Sequence, residues 1–397
     1  MRLLRLQLSD YRNFHRLDLS LGPGASVFVG GNAQGKTNLL ESVYLLATMK
    51  EVRAETEVQV IRWQATEEAM PVARVVGVAE TAEGRMKLEV AIVGRDGAHG
   101  LIASKTARVN GVPKRLSDAV GRLTAVLFTA ADIDLASGAP SARRRYIDIT
   151  LSQVDRGYVS ARSRFERVLA QRNHLLKRIR EGPTGTDELA FWDGELARDG
   201  GYLFAARAAA LSELAVLAAQ AHATLAPQEE VRLEYRPRLG GRAPDGLRDP
   251  AAAAEAYGEA LRHGLSADVA AGMTLQGPHR DDIAFFLNGM PAPGFASRAQ
   301  QRTIALALRL AEARLLRSRR GEPPVLLLDD ILSEMDADRC RSVIEAISGC
   351  EQLLVTTTDA GRFPQQFLDS AVVFSVAAGT VAPLSVQATA SRGTGET

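Results

Sequence analysis

The stretch Gly30-Gly31-Asn32-Ala33-Gln34-Gly35-Lys36-Thr37 follows a short apolar run, Ala25 to Val29, and precedes a helical pattern from Asn38 to Thr48. It has the form G-x-x-x-x-G-K-[ST] in the strand, loop, helix context that this form requires. Gly30 and Gly35 let the backbone curl so that its N–H groups point inward, and at a helix N-terminus those groups and the dipole hold a polyphosphate. The expected nucleotide-binding set therefore runs from Gly30 to Asn38. Within it Lys36 would reach the β and γ phosphates of ATP, and Thr37 would ligate Mg²⁺.

Far along the chain, Val325-Leu326-Leu327-Leu328-Asp329-Asp330 has the form of a Walker B strand. Four apolar residues fix a buried central strand, and the carboxylates stand at its C-terminal edge, where α/β sheets place their sites. Asp329 would share Mg²⁺ with Thr37. Asp330 would polarise the attacking water, so Lys36 and Asp330 are the expected catalytic residues.

The segment before that strand, Ser297-Arg298-Ala299-Gln300-Gln301-Arg302, opens a long helix. Ser297 and Gln300 form an S-x-x-Q capping box, and Ile304, Leu308, Ala311 and Leu315 give one apolar face. Arg314 to Arg320 load its C-terminus, and Gly321, Pro323 and Pro324 stop it. Its first N–H groups and Ser297 are thereby exposed for an anion.

The remaining chain sorts by periodicity. Arg2 to Phe128 is mostly strand-like, with Val109-Asn110-Gly111-Val112 as a hairpin signal because Asn-Gly tolerates the positive φ of a type I′ turn. From about Asp132 the pattern turns helical to roughly residue 270. Strands return at Ile283 to Leu287, Leu353 to Thr357 and Val372 to Val376. The expected organisation is residues 1–130 and 273–386 in one α/β lobe, 131–272 as a helical insert, and 387–397 as a disordered tail.

Composition sets outer limits. The 397 residues carry 48 Lys and Arg against 47 Asp and Glu, a net charge of +1, so any nucleic-acid surface must come from local clustering. Arg156 to Arg180 supplies such a cluster, with eight basic residues and one acid, whereas Glu181 to Glu259 holds 14 acids against seven Arg. The first helices of the insert either contact phosphates or pair with the acidic part of the same lobe. The two cysteines, Cys340 and Cys350, form neither a disulfide framework nor a zinc motif, consistent with a reducing cytosol. The N-terminus lacks the apolar core of a secretion signal, and no membrane span is expected.

The Ser297 segment resembles the signature of ABC-type ATPases, in which the signature Ser of one subunit completes the γ-phosphate site of the other. By the same resemblance Ser333 and Asp336 look like the D-loop at the dimer interface, so ATP would be sandwiched between two copies. Lys36 and Asp329 are 293 positions apart, which is too long for a bare transporter domain and too short to hold a long coiled coil.

At this level of detail the chain is similar to the RecF family of bacterial recombination mediators. The residues that carry the likeness are Tyr11-Arg12-Asn13-Phe14, the P-loop with Asn38-Leu39-Leu40-Glu41, Val126-Leu127-Phe128, Arg143-Arg144-Arg145 with Asp148, and Gln171-Arg172-Asn173. Gly277-Pro278-His279-Arg280-Asp281-Asp282, Gln300-Gln301-Arg302-Thr303 and Leu328 to Asp336 complete it in order. The resemblance implies an α/β ABC-type ATPase head, lobe I, built from both chain ends, with an inserted, mainly helical lobe II. It further implies ATP and Mg²⁺ as cofactors, duplex and gapped DNA as target, an ATP-dependent homodimer, and action with RecR and RecO so that RecA loads on single strands.

Some positions have two readings. Arg143, Arg144 and Arg145 are candidates for DNA phosphates or an intramolecular clamp onto Asp148 and its neighbours; Arg172, Lys177 and Arg178 are further DNA candidates. Arg12 and Asn13 contact the nucleotide or form a surface turn. His279 and Arg280 sense ATP or DNA, or serve structural hydrogen bonding. The chain departs from the family at Ala299, where Gly is usual, and from transporter ATPases at Asp330, where Glu is usual. No switch histidine follows His279; Thr357, Thr358 and Asp359 occupy that region, and no Q-loop glutamine is evident, Gln153 being too far along. A shorter carboxylate and no histidine predict weak, DNA-stimulated hydrolysis suited to a switch. The competing reading is an ATPase subunit of a membrane transporter.

Overall fold

The computed structural model describes residues 1–54, 56–97, 100–182, 185–241, 245–331, 337–347 and 350–384. The chain opens with β1 (Arg2–Tyr11), β2 (Phe14–Ser20), β3 (Gly24–Val29) and α1 (Lys36–Thr48). A meander of β4 (Val72–Thr81), β5 (Gly84–Gly97), β6 (Gly100–Val109) and β7 (Val112–Lys114) leads to α2 (Leu116–Ala119) and β8 (Ala125–Thr129). The middle holds α3 (Ile133–Ser137), α4 (Pro140–Ser152), α5 (Arg156–Glu181), α6 (Leu189–Leu225), β9 (Val231–Arg236), α7 (Pro250–His263), α8 (Leu265–Ala271), β10 (Asp282–Leu287), β11 (Met290–Pro291) and α9 (Ala292–Phe295). After it come α10 (Arg298–Arg320), β12 (Val325–Asp329), α11 (Ala337–Ile347), β13 (Gln352–Thr357), α12 (Gln365–Ser370), β14 (Val372–Ala377) and β15 (Thr380–Pro383).

Contacts divide the chain into two compact units, one joining Met1–Ala131 to the chain from Leu316 onward, the other Asp132–Leu315. The first boundary lies one residue from the expected one. The second does not fall at 272/273 but inside α10. The reason is a strand pairing that helical periodicity hides: β9 of the insert runs antiparallel to β10, with Ile283 opposite Tyr235 and Phe285 opposite Leu233. β10 is thereby bound to the insert rather than to the α/β lobe, and the first turns of α10 stay with it.

Unit one contains two six-stranded sheets. One is antiparallel, in the order β2-β1-β4-β5-β6-β7. The Asn-Gly hairpin forms as its chemistry dictates: Val109 pairs with Val112, and Asn110 and Gly111 take φ of 51° and 79°. The other has the order β15-β14-β3-β13-β12-β8, parallel except at the β15 edge. Its inner strands β12 and β13 are buried at every residue, as a sheet covered on both faces requires. Helix α1 touches β4 on one side and β8, β12 and β13 on the other. It is buried from Leu39 to Thr48, so its composition is apolar nearly all round rather than striped. The approach of β4 is close: a Cβ at Gly77 would lie 2.7 Å from Leu46.

Unit two is built around α6, whose Leu196, Leu203, Phe204, Leu211 and Leu214 lie in one apolar cluster with Tyr257, Phe285, Ile304 and Leu308. Among the described residues α6 is the one helix long and apolar enough to cross a membrane. It also carries buried Asp199 and Arg207, both ion-paired, which is the composition of a core helix in this unit. The expected tail at 387–397 lies outside the described residues.

Candidate functional site

The P-loop spans the gap between β3 and α1. Gly35 caps α1 with φ of 114°, a conformation that side chains rarely adopt, and Ala33 also has positive φ, 61°. Gly30 is fixed by space, since a Cβ there would lie 2.2 Å from the carbonyl oxygen of Val376. The Lys36 ammonium donates to the carbonyls of Gly30 at 2.5 Å and Gly31 at 2.7 Å. Burial pushes its pKa down, and Asp330 and Asp329 pull the other way.

Two outside elements hold the loop's shape. In the β1–β2 turn the Asn13 amide donates to the Gln34 carbonyl at 2.9 Å and accepts from Asn38 at 2.8 Å. In the β14–β15 turn the Ala378 N–H donates to the Gln34 side chain at 2.7 Å and the Gly379 N–H to the Gln34 carbonyl at 3.0 Å. Asn13 and Gln34 thus act as braces of the phosphate-binding loop.

Strand order brings the second motif to it. β13 separates β3 from β12, so the end of the Walker B strand lies across one strand from the P-loop. The Thr37 hydroxyl is 2.9 Å from both carboxylate oxygens of Asp329. The Thr356 hydroxyl at the end of β13 donates to Asp329 Oδ1 at 2.9 Å, and Arg53 Nη2 reaches Oδ2 at 3.2 Å. A hydroxyl and a carboxylate side by side below the phosphate loop form the hard oxygen donor set that suits Mg²⁺, which takes one or two carboxylates together with substrate phosphates. Asp330 has φ of 52°, and its N–H donates to the Thr356 hydroxyl at 3.0 Å.

Sequence reading missed Arg53, Thr356 and the role of Glu41. Glu41 is buried on α1, and burial pushes its carboxyl pKa up against the opposing pull of Arg12 and Arg53. Arg53 Nε lies 3.2 Å from Glu41, and Arg12 lies 3.6 Å from it. Arg12 stands in the β1–β2 turn with φ of 54°, and its guanidinium is directed to Glu41 on α1. Arg53 stands in a segment without periodicity, and nothing in its sequence context marks it.

In unit two the capping box at the start of α10 is formed. The Ser297 N–H donates to Gln300 Oε1 at 2.8 Å, and the Gln300 N–H to Ser297 Oγ at 3.3 Å. Ser297, Arg298 and Ala299 are exposed, while the Gln300 amide is held by Glu229 at 2.9 Å. Ser333 and Asp336 lie outside the described residues.

Two expected phosphate contacts are corrected. Arg143 is buried and clamps Asp282, not Asp148, at 2.7 and 3.1 Å, with a third bond to the Gly138 carbonyl. Arg172 is fully buried, held by Asp193 at 2.6 Å, Asp268 at 2.7 Å and Thr274 at 2.8 Å. A run of arginines in sequence does not tell which of its members point inward, and these two do. Arg144 is half-buried and donates to the Asp281 carbonyl at 2.8 Å, while Arg145, Lys177 and Arg178 are exposed.

The Gly277 to Asp282 segment is a structural knot. Arg207 reaches Asp281 at 2.9 Å, the Pro278 carbonyl at 2.5 Å, Asp148 at 2.7 Å and the Tyr158 hydroxyl at 2.9 Å, and Tyr235 donates to Asp281 at 2.5 Å. The His279 Nε2–H donates to the Thr274 carbonyl at 3.1 Å, and burial pushes the ring's pKa down to about 4. Arg280 points out, its guanidinium 3.2 Å from Met273 Sδ. Gln153 closes α4, in unit two.

Fold and site together define the class: an ABC-type P-loop ATPase head made from both chain ends, with an inserted, mainly helical unit. A profile of the RecF/RecN/SMC N-terminal domain matches residues 2–380. The DNA replication and repair protein RecF of Chloroflexus aurantiacus is 42% identical over 95% of this chain and 98% of its own, and that of Roseiflexus castenholzii 40% over 96% and 100%. A solved structure of the recombination mediator protein RecF with ATP, in the RecFOR pathway, has a TM-score of 0.84 at 28% identity, covering 96% of this chain and 97% of that one. An Smc head bound to the C-winged helix domain of ScpA shares the fold alone, with a TM-score of 0.52 at 13% identity, covering 98% of this chain and 99% of that one. The chain belongs to the RecF family.

Proposed function

We propose that this chain is an ATP-switched DNA-binding protein of DNA replication and recombinational repair, working in the cytoplasm. The observation that carries the reading is the contact of Thr37 with Asp329, which joins P-loop and Walker B into one site. The names of its relatives, DNA replication and repair proteins and a mediator in the RecFOR pathway, support the biological setting.

In this reading the N–H groups of Gly30 to Asn38 hold the ATP phosphates, with Lys36 at the β and γ positions. Mg²⁺ held by Thr37 and Asp329 would neutralise charge on the phosphates. Asp330 orients water. Ser297 and the N-terminus of α10 in a second copy complete the γ-phosphate site, with Ser333 and Asp336 of the D-loop at the same interface. Ala299 beside that phosphate loosens the dimer relative to Gly. The ATP-bound homodimer closes on duplex DNA at single-strand gaps and acts with RecR and RecO so that RecA is loaded. Slow, DNA-stimulated hydrolysis then resets the switch.

Light scattering of the full chain in ATP, in ADP and without nucleotide tests the sandwich. The unaltered chain dimerises with ATP alone. Lys36→Met loses ATP binding, whereas Ser297→Arg binds ATP and stays monomeric. A Ser297→Arg chain that still dimerises with ATP contradicts the shared site.

A further inference from the structure

Six of the eight basic residues of α5 divide by partner; the other two, Arg156 and Arg167, are exposed along the helix, Arg167 donating to the Ser163 carbonyl at 3.3 Å. Arg162 pairs with Asp148 and Glu166, Arg164 with Asp199, and Arg172 with Asp193 and Asp268. Arg172 serves the interior of unit two, while Arg162 and Arg164 pair nearer its surface. Lys177, Arg178 and Arg180 remain at the exposed end of the helix, and no ion pair among the described residues includes Lys177 or Arg178.

A cation from a distant segment joins them. Arg180 donates to the Ala271 carbonyl at 3.2 Å, and a Cβ at Gly272 would lie 2.7 Å from its guanidinium. Arg280 sits on Met273 Sδ at 3.2 Å. The two arginines therefore grip the same turn, at residues two positions apart. Asn173 takes the Thr274 N–H at 2.8 Å, so this turn lies along the face of α5 that carries 173 and 180. Lys177, four residues after Asn173 and three before Arg180, shares that face.

Cations at a helix C-terminus are favourable by themselves, which accounts for Lys177, Arg178 and Arg180. It does not account for Arg280, which comes from the segment after α8 and adds like charge to the same spot. Among the described residues, Glu181 is the carboxylate that pairs with these cations, meeting Arg180 at 3.0 Å. The turn is held beneath by Arg172, Asp268 and the His279 bond to Thr274, which fixes the segment against which Arg180 and Arg280 lie.

We propose that Lys177, Arg180 and Arg280, gathered around the Ala271–Leu275 turn, form the surface of unit two that contacts the phosphate backbone of duplex DNA. This rests on the reading of the chain as a DNA-binding protein and locates its contact. Contacts to phosphate carry no sequence information, so the binding expected here is without sequence preference.

The test is fluorescence anisotropy of a gapped duplex in ATP over a salt series. The chains compared are the unaltered one, Lys177→Ala/Arg280→Ala, and an Arg85→Glu/Lys87→Glu control on an exposed face of unit one. Each lost phosphate contact lowers the slope of log affinity against log salt by about 0.9, so the double variant should lose about 1.8. The control alters net charge by more and should leave the slope closer to that of the unaltered chain. An unchanged slope in Lys177→Ala/Arg280→Ala, with the unaltered chain binding normally, overturns this assignment and leaves the DNA-binding reading intact. Failure of the unaltered chain to bind in any nucleotide state overturns both. Loss of binding to phosphatidylglycerol vesicles rather than to DNA in the double variant would assign the surface to a lipid headgroup and overturn the proposal.

Discussion

Thr37 and Asp329 stand 292 positions apart in the chain, yet the Thr37 hydroxyl lies 2.9 Å from both oxygens of the Asp329 carboxylate. The pair exists because β3 and β12 flank β13 in a parallel sheet whose register sets Asp329 against Thr356 and Val29 against Thr357. Asp329→Asn keeps an oxygen for Thr37 and Thr356 but removes the charge a divalent cation needs. Unfolding should change little, while Mg²⁺-dependent ATP affinity should fall at least about tenfold. Titration of a fluorescent ATP analogue with and without Mg²⁺ checks this; equal affinities in variant and unaltered chain would remove Asp329 from the metal site.

Gly30 is constrained by the backbone of another strand. With the Val376 carbonyl 2.2 Å from where a Cβ would stand, Gly30→Ala must displace either the loop or β14. A cost of about 1–3 kcal/mol is expected, with loss of nucleotide binding, because the displaced loop no longer aims its N–H groups at phosphate. Thermal unfolding together with the same ATP titration separates the two effects.

Those sites were legible in the sequence because each motif is local. The P-loop, the Walker B strand, the capping box and the Asn-Gly hairpin are each fixed within about eight residues by turn, cap or strand chemistry. What was not legible depends on distant partners. Arg53 reaches Asp329 from an aperiodic segment, and Arg172 is drawn inward by Asp193 on the next helix and by Asp268, 96 positions on. The lobe boundary moved for the same reason, since only the β9–β10 register shows that β10 belongs to the insert.

Arg207 is the centre of the buried network in unit two, with Asp148 and Asp281 as its carboxylate partners. Removing one side of a buried pair strands the other charges, so Arg207→Met should destabilise unit two by about 3–5 kcal/mol. Denaturant unfolding followed by far-ultraviolet circular dichroism would show a transition at lower denaturant. A variant as stable as the unaltered chain would mean that the network contributes nothing net.

His279 supplies a pH signature. Its folded pKa of about 4 lies below the ordinary value of 6.5, burial being the main cause. Its contribution to stability is therefore complete above pH 6.5 and is lost as pH falls toward 4, by up to about 1.4 kcal/mol per pH unit. His279→Gln retains a donor for the Thr274 carbonyl and abolishes the titration. Melting temperatures measured from pH 7 to pH 4 should fall less steeply in the variant; parallel curves would show that other groups set the acid limit.

The central claim is that ATP gates DNA binding, and the direct measurement is the affinity of the full chain for a labelled gapped duplex in ATP, in ADP and without nucleotide. Tight binding is expected in ATP alone, lost in Lys36→Met and in Ser297→Arg. Equal affinity in all three nucleotide states would contradict it.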